Sequence, residues 1–255
     1  MMVIAEAGVN HGGHLAVALM LTDEAKEAGA DIVKFQLFSS QSLWGDDRIR
    51  HLELTWPEME IVYRHCKDIG IEFLCTPFGI DELLFMKPML KRVKVSSGMF
   101  QKQSFLKAVV ETGLPVIAST GMAGLGQIEN CVSPLGPLPL DRTTLLHCVS
   151  SYPCSIEDCN LAAILTMRAR YPSVGYSDHT AGILAPVIAA ALGAEVIEKH
   201  LTLSRNAEGP DHKSSIEPAA FKAMVHSIRE AVQALGGGVK MPQDCERETM
   251  KAWGL

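Results

Sequence analysis

The sequence has 255 residues, a formal net charge of −6 and an isoelectric point near 5.8. The acidic balance, without any long basic run, argues against a nucleic-acid-binding surface. The hydrophobic content of 47% excludes a disordered chain. The apolar stretch at residues 183–192 is too short to span a bilayer, so no membrane association is expected.

The chain alternates short β-branched runs with longer amphipathic ones. The runs typical of strands are 2–8, 31–38, 71–76, 92–97, 115–120, 143–149, 173–177 and 195–201. Helices are predicted after them, at 14–29, 57–69, 81–89, 103–112, 124–131, 157–170, 181–192 and 217–235. The Pro/Gly-rich stretch 134–139 is predicted to be a loop.

This strict alternation predicts one α/β domain, a (β/α)8 TIM barrel. A doubly wound open sheet is the alternative, but it would call for fewer strands or a glycine fingerprint after the first strand. The barrel is predicted to span residues 1–240, and residues 241–255 form a polar tail.

The cysteines and the N-terminus indicate a cellular location. Seven cysteines are an odd number without paired spacing, which is typical of reduced thiols in a cytosolic protein. Met1 leads almost directly into the first strand, so we expect no signal peptide and a cytoplasmic protein. Cys154 and Cys159 could pair on a metal, but buried thiols are the favoured interpretation because no second pair accompanies them.

Two lysines lie inside otherwise apolar strands. Lys34 and Lys94 fall near the carboxyl ends of their strands, where the active sites of TIM barrels lie. A buried ammonium is costly unless an anion pairs with it. With the hydroxyls of Thr76 and Ser97, the lysines predict a cradle for a phosphate or carboxylate group. For Lys34 alone, an ion pair with Glu6 or Glu198 is an equal alternative.

Two histidines each close an apolar segment near the C-terminus. His179 and His200 end neighbouring predicted strands, with one helix between them. Imidazoles in such positions can converge on one metal ion, and acidic neighbours can fix their tautomers. The pair therefore predicts a metal-assisted active site, whereas His147 has a core histidine as a competing interpretation.

A series of short motifs covers nearly the whole chain, at residues 4–11, 28–36, 76–78, 94–98, 119–122, 147–153, 175–180, 198–200 and 209–212. Each motif alone is weak, but their order and spacing are specific. By these residues the chain resembles the sialic acid synthase family, the synthases that condense phosphoenolpyruvate into nonulosonic acids. The resemblance implies a (β/α)8 barrel and an acceptor that is the open-chain aldehyde of an N-acylated amino sugar, commonly N-acetylmannosamine. It also implies phosphate as a product and a divalent cation, Mn²⁺ or Mg²⁺.

The resemblance assigns roles to matching positions. His179 and His200 match the family's metal ligands. Glu6, Asp211 and Lys94 are expected to act in catalysis. The expected substrate-binding residues are Lys34, Gln36, Thr76, Ser97, Ser150, Tyr152 and Ser177.

The chain departs from the family pattern at three places. Met99 stands where the family usually carries an acid, so we expect lower activity or a different acceptor. The region after Gln36, which normally helps to cover the sugar, looks shorter than usual. The family's C-terminal antifreeze-like domain, which reaches across a dimer, is absent from these 255 residues. We expect either a piece of a longer protein or a barrel-only relative, and a homodimer or partner protein that completes the site.

Two other functions remain open. An aldolase on the same barrel would use Lys94 or Lys199 as a Schiff base, although two lysines with two histidines fit an anion-and-metal site better. A non-catalytic or partner-dependent barrel that binds a sugar or an anion is the second alternative.

Overall fold

The computed structural model describes residues 1–132 and 136–255. Its strands are β1 (Met2–Gly8), β2 (Ile32–Leu37), β3 (Glu72–Pro77), β4 (Val93–Val95), β5 (Val116–Ser119), β6 (Thr143–His147), β7 (Val174–Asp178) and β8 (Val196–His200). Its α-helices are α1 (Leu15–Glu27), α2 (Ser40–Trp44), α3 (Trp56–Ile69), α4 (Ile80–Met86), α5 (Gln103–Glu111), α6 (Leu125–Val132), α7 (Ala163–Arg168), α8 (Leu184–Ala191), α9 (Pro218–Leu235) and α10 (Arg247–Ala252). Residues 134 and 135 of the predicted loop lie outside the described residues.

The strands form one parallel sheet in the order β3-β2-β1-β8-β7-β6-β5-β4. The two end strands, β3 and β4, pack against each other, so the sheet is a nearly closed barrel with the helices around it. The (β/α)8 fold is therefore confirmed. Within the part of the chain that the structure describes, no helix is long and apolar enough to cross a membrane.

Every predicted strand is present, and the differences lie at element ends and in two additional short helices. β4 is shorter than the predicted 92–97 because Ser96 and Ser97 leave the sheet for a turn, in which the Ser96 carbonyl accepts a hydrogen bond from the Met99 amide. The helix predicted at 157–170 begins only at Ala163, after a separate 3₁₀ turn at Ile156–Asp158. The short helices α2 and α10 were not predicted.

The barrel interior has an apolar bottom layer beneath a polar one. The bottom layer consists of Ile4, Ile32, Leu74, Ile117, Leu146 and Val196, with Met2 packed against it. At Gly175 a Cβ atom would lie 2.5 Å from Leu146 Cδ2 and from the Val196 carbonyl oxygen, so the packing admits only glycine. Side chains alternate between the two faces of a strand, so the next inward side chain lies two residues further toward the carboxyl end. At that level the inward side chains are mostly polar. This change places a polar cavity at the carboxyl ends of the strands.

Candidate active site

A cavity of about 550 Å³ opens at the carboxyl ends of the strands. All of the site residues expected from the sequence line it: Glu6, Lys34, Gln36, Thr76, Lys94, Ser97, Ser150, Tyr152, Ser177, His179, His200 and Asp211. The fold thus brings these residues together in one cavity, and their contacts decide what each can do chemically.

Lys34 stands at the centre of the charged part of the cavity. Its Nζ lies 3.1 Å from Glu6 Oε2 and 3.2 Å from Glu198 Oε2, and it donates a hydrogen bond to Thr76 Oγ1 at 3.2 Å. Lys34 and both carboxylates are almost completely buried. The ion pair considered in the sequence analysis as an alternative role for Lys34 is therefore present, and Lys34 pairs with Glu6 and Glu198 at the same time.

The environments of these two carboxylates push their pKa values apart. Burial alone would raise the pKa of Glu198, but the charges of Lys34 and Lys94 outweigh it and lower that pKa to about 2. Burial raises the pKa of Glu6, and the negative charge of Glu198 adds to this effect, while Lys34 opposes it. Glu198 is thus a fixed anion, whereas the raised pKa makes Glu6 the better suited of the two to exchange a proton.

Lys94 is held less strongly than Lys34. Its Nζ donates to Ser119 Oγ at 2.6 Å and to the Val95 carbonyl at 3.1 Å, while Glu198 Oε1 lies 3.8 Å away. Burial, together with repulsion from Lys34, lowers the pKa of Lys94 to about 8 although Glu198 opposes the shift. An anionic ligand at Lys94 would supply the counter-charge that the protein only partly provides.

Hydroxyl groups surround the space beside Lys94. Ser97 Oγ accepts a hydrogen bond from the Gly121 amide at 3.1 Å. Ser96 Oγ and Ser150 Oγ are buried without a hydrogen-bond partner among the described residues. A Cβ atom at Gly121 would collide with Ser150 Oγ and would lie 2.8 Å from Ser97 Oγ, so glycine keeps this space open. Unpaired buried donors beside a lysine are suited to the oxygens of a phosphate.

His179 and His200 form a corner of the cavity, with ring centroids 5.6 Å apart. His179 Nδ1 lies 2.6 Å from the Val149 carbonyl oxygen, which can only accept, so this nitrogen carries the proton and Nε2 is left free. Burial lowers the pKa of both rings, that of His200 to about 4, so both are neutral at pH 7. The Tyr152 ring packs on this corner, 4.2 Å from the His179 centroid.

Asp211 closes the other side of the corner. Its Oδ2 lies 3.8 Å from His200 Nδ1, a nitrogen that is buried and has no hydrogen-bond partner among residues 1–132 and 136–255. Gly8 has φ of +54°, and a Cβ atom there would lie within 3.4 Å of Glu6 Oε1, Gln36 Nε2 and Asp211 Oδ2. Gln36 Nε2 also donates to Glu6 Oε1 at 2.8 Å. Burial raises the pKa of Asp211, which gives the site a second carboxylate suited to proton transfer.

The histidine corner fits a divalent cation in part. Two neutral imidazoles, one with its tautomer fixed by a carbonyl and one with an unpaired buried nitrogen, are good ligands. Among residues 1–132 and 136–255, no cluster of three or more His, Cys, Asp or Glu side chains is arranged to hold a metal ion. His179 and His200 are thus the residues that would hold such a cation at this corner.

Several other candidates lie outside the cavity. Lys199 points away from it, because it alternates with the inward residues Glu198 and His200; its Nζ contacts Asp178 Oδ2 at 2.6 Å and the Thr180 carbonyl. The structure thus excludes Lys199 as a Schiff base in this cavity. His147 Nε2 contacts the Cys159 carbonyl at 2.8 Å, which supports the core-histidine interpretation.

Three further residues also belong to the core. Met99 is buried among apolar side chains and does not line the cavity. Cys154 and Cys159 are buried free thiols.

Sequence reasoning missed two parts of the cavity. Glu198 was considered only as a partner for Lys34, although it contacts both lysines and accepts a hydrogen bond from Ser177 Oγ at 2.9 Å. The second part is an apolar wall, formed by Val9, Phe38, Leu43, Trp44, Ile49, Leu52 and Phe78. Most of it comes from residues between β2 and α3, which show neither a helical nor a strand period.

The fold and this cavity define a class of protein: a (β/α)8 barrel with a charged, hydroxyl-rich site and a histidine pair at the carboxyl ends of its strands. The NeuB family model matches residues 21–240, and the chain belongs to this family, the sialic acid synthases. The resemblance seen in the motifs is thereby confirmed.

Three relatives show how far the similarity extends. An uncharacterised protein of Methanocaldococcus jannaschii is 42% identical, over 97% of this chain and 76% of its own. The N,N'-diacetyllegionaminic acid synthase of Legionella pneumophila is 38% identical, over 96% of this chain and 76% of its own. The crystal structure of N-acetylneuraminic acid synthetase from Leptospira borgpetersenii, in complex with citrate, has a TM-score of 0.90 and 36% identity, and the match covers 99% of this chain and 91% of that one.

Proposed function

We propose that this protein is a nonulosonic acid synthase, which condenses phosphoenolpyruvate with the aldehyde of an N-acylated amino sugar and releases phosphate. The observation that carries the proposal is the meeting, in one cavity, of Lys94 with unpaired hydroxyls and of a neutral histidine pair. Relatives named as legionaminic acid and N-acetylneuraminic acid synthases support the same reaction type.

Phosphoenolpyruvate carries two anionic groups, and the cavity offers two cationic positions. Lys94, Ser97 and Ser150 would hold the phosphate, with the Gly121 amide donating to the Ser97 hydroxyl and fixing its position. The carboxylate would lie at Lys34, Thr76 and Ser177, and to bind it Lys34 would exchange one of its three contacts with Glu6, Glu198 and Thr76. Such contacts orient the enol ester and neutralise its charge, which are the main contributions of protein groups to reactions of this kind.

The reaction joins C3 of phosphoenolpyruvate to the aldehyde carbon of the sugar. The aldehyde oxygen gains a proton as the bond forms, water adds at C2, and the C2–O bond to phosphate breaks to leave a 2-keto acid. Glu6 is placed to transfer a proton because its pKa is raised and it faces Gln36 and Asp211 across Gly8. Glu198 is not suited to transfer a proton, because Lys34 and Lys94 lower its pKa and keep it ionised.

His179 and His200 would hold the divalent cation, Mn²⁺ or Mg²⁺, whose Lewis acidity stabilises negative charge on an aldehyde oxygen. The protein's own part is to keep both rings neutral and oriented, through burial and through the Val149 carbonyl. Tyr152 covers this corner and would contact the sugar.

The test is release of inorganic phosphate from phosphoenolpyruvate, with Mn²⁺ and N-acetylmannosamine or a related amino sugar. We expect release that requires both substrates and stops when EDTA is added. EDTA-insensitive turnover that borohydride traps on Lys94 would instead support the aldolase. Tight binding of phosphoenolpyruvate without turnover of any acceptor would support the non-catalytic barrel.

A further inference from the structure

A buried ion pair lies behind the histidine corner, on the outer face of the barrel sheet. Lys199 Nζ contacts Asp178 Oδ2 at 2.6 Å, and both side chains are completely buried. The Asp178 carboxylate also accepts hydrogen bonds from the Tyr176 hydroxyl at 2.9 Å, the Thr180 amide at 3.1 Å and the Thr180 hydroxyl at 2.9 Å. Replacing a buried ion pair by apolar side chains is often neutral or stabilising, so stability alone does not account for this one.

The sheet holds the two histidines of the corner differently. His200 is the last residue of β8 and pairs with Glu6 of β1 in the parallel ladder. His179 follows β7, whose last ladder pair with β8 joins Asp178 to Lys199. The ladder between β7 and β8 therefore ends one residue before His179. The distance between the two imidazoles depends on contacts beyond this ladder.

Lys199 makes such contacts on both sides of His179. Its Nζ donates to the Asp178 carboxylate, which precedes the histidine, and to the Thr180 carbonyl, which follows it. One ammonium group thus holds both chain neighbours of His179. Because Lys199 directly precedes His200 in β8, the same contacts tie the segment 178–180 to the strand that carries the second histidine.

The loop after β6 supplies further contacts to His179. The Cys154 amide donates to the His179 carbonyl at 2.9 Å, and the Val149 carbonyl accepts from the ring Nδ1 at 2.6 Å. These contacts orient the ring of His179 relative to that loop. The contacts of Lys199 connect it to β8, and so to His200.

We propose that Lys199 is a positioning residue, which sets the distance between the His179 and His200 imidazoles so that both can hold one divalent cation. This inference rests on the proposed function and adds to it a residue outside the cavity. Replacing residues that orient the ligands of a metal site typically weakens metal binding 10- to 100-fold. We expect Lys199→Met to weaken Mn²⁺ binding by a factor in this range.

Two variants separate positioning from stability. Lys199→Met leaves Asp178 as a buried charge without a counter-charge, so the thermal unfolding midpoint should fall. The double variant Asp178→Asn/Lys199→Met removes both charges, and its midpoint should return toward that of the parent. It still lacks the bond to the Thr180 carbonyl, so its Mn²⁺ affinity should remain 10- to 100-fold below that of the parent.

Leu106→Ala is the control for a loss of stability elsewhere. Leu106 is completely buried on α5, between β4 and β5, on the opposite side of the barrel from β8. Its truncation opens a cavity in the core and should also lower the unfolding midpoint. We expect this variant to bind Mn²⁺ as tightly as the parent does.

Two measurements follow the histidine corner in each variant. Titration calorimetry gives the Mn²⁺ affinity. In the metal-free protein, NMR of ¹⁵N-labelled histidine follows the Nδ1–H proton of His179, which is assigned by its absence in His179→Ala. We expect this signal to shift or broaden in both Lys199 variants, because a loosened segment 178–180 weakens the hydrogen bond to the Val149 carbonyl. It should stay unchanged in Leu106→Ala.

The outcomes separate this inference from the proposed function. If the double variant regained the Mn²⁺ affinity and the His179 signal of the parent together with its stability, the positioning role would be overturned and the synthase would stand. An equal loss of affinity in Leu106→Ala and Lys199→Met would also overturn it. A parent protein that binds no Mn²⁺ would overturn the metal site of the proposed function, and this inference with it.

Discussion

Glu6 and Glu198 share the ammonium group of Lys34, which lies 3.1 Å from one carboxylate and 3.2 Å from the other. Their pKa values nevertheless move in opposite directions. Glu198 also faces Lys94 and receives the Ser177 hydroxyl, whereas the additional partner of Glu6 is the uncharged amide of Gln36. One carboxylate is therefore a structural anion, and the other is available for proton transfer.

Replacing Glu6 tests the proton-transfer role. Glu6→Gln keeps the shape and the position of the hydrogen bond to Gln36 but cannot exchange a proton. We expect kcat to fall about 10²- to 10⁴-fold, the usual contribution of a general acid or base, while KM for phosphoenolpyruvate changes little. Steady-state phosphate release measures both constants. A variant that retains kcat within threefold would show that another group moves the proton.

Replacing Glu198 tests the structural role. Glu198→Gln leaves two buried ammonium groups with only Glu6 as a counter-charge, so we expect the free energy of unfolding to fall by about 3 kcal/mol or more. Urea unfolding followed by circular dichroism gives this value. Glu129→Gln is the control, since Glu129 pairs with Arg170 on the exposed surface and should cost less than about 1 kcal/mol. Equal effects of the two substitutions would contradict the assignment.

The pKa of Lys94 predicts how the reaction depends on pH. Because this pKa is lowered to about 8, the ammonium group is charged below pH 8 and loses its proton above it. We expect kcat/KM for phosphoenolpyruvate to fall as the pH rises through about 8. In Lys94→Met, kcat/KM for phosphoenolpyruvate should be low at every pH, and its decrease above pH 8 should disappear. If kcat/KM of the variant still decreased above pH 8, another group would be responsible for the pH dependence.

The histidine corner predicts a loss of metal affinity on substitution. His200→Ala removes one of two neutral imidazoles, and we expect Mn²⁺ to bind at least tenfold more weakly in titration calorimetry. His65→Ala is the control, because His65 lies on α3 and pairs with Asp23 at the surface. The thermal unfolding midpoint of both variants should stay close to that of the parent. Unchanged Mn²⁺ affinity in His200→Ala would contradict the ligand assignment.

The barrel and most of the cavity could be predicted because both follow from local patterns. Strand alternation fixes which residues point inward, and two inward lysines near hydroxyls at the carboxyl ends of apolar strands indicate a site. The same alternation could have excluded Lys199, which stands between two inward residues of β8. The different roles of Glu6 and Glu198 could not be predicted, because they depend on distances between side chains of β1, β2, β4 and β8.

The apolar wall escaped prediction for a different reason. The segment between β2 and α3 contains only one five-residue helix and one 3₁₀ turn, and neither is long enough to show a period. Its apolar residues meet because the Ser40 hydroxyl bonds to Asp46 and Ile49 of the same segment. Val9 and Phe78, which come from other loops, pack against them. Such contacts arise from tertiary packing and leave no periodic signal in the sequence.

Two glycines that are close in sequence give the sharpest test of the phosphate position. In Gly121→Ala the new Cβ atom would collide with Ser150 Oγ and crowd Ser97 Oγ, so both hydroxyls must move from the space beside Lys94. The atoms displaced are the ends of side chains, and the fold should therefore survive. We expect KM for phosphoenolpyruvate to rise at least tenfold.

Gly126→Ala is the matched control, because a Cβ atom at this position in α6 meets nothing within 4 Å. It should leave KM unchanged and, since alanine favours a helix over glycine, stabilise the protein by up to about 1 kcal/mol. Inorganic phosphate as a competitive inhibitor gives a second measure, and its inhibition constant should rise only in Gly121→Ala. If a folded Gly121→Ala variant kept both constants within twofold of the parent, the phosphate would have to bind elsewhere in the cavity.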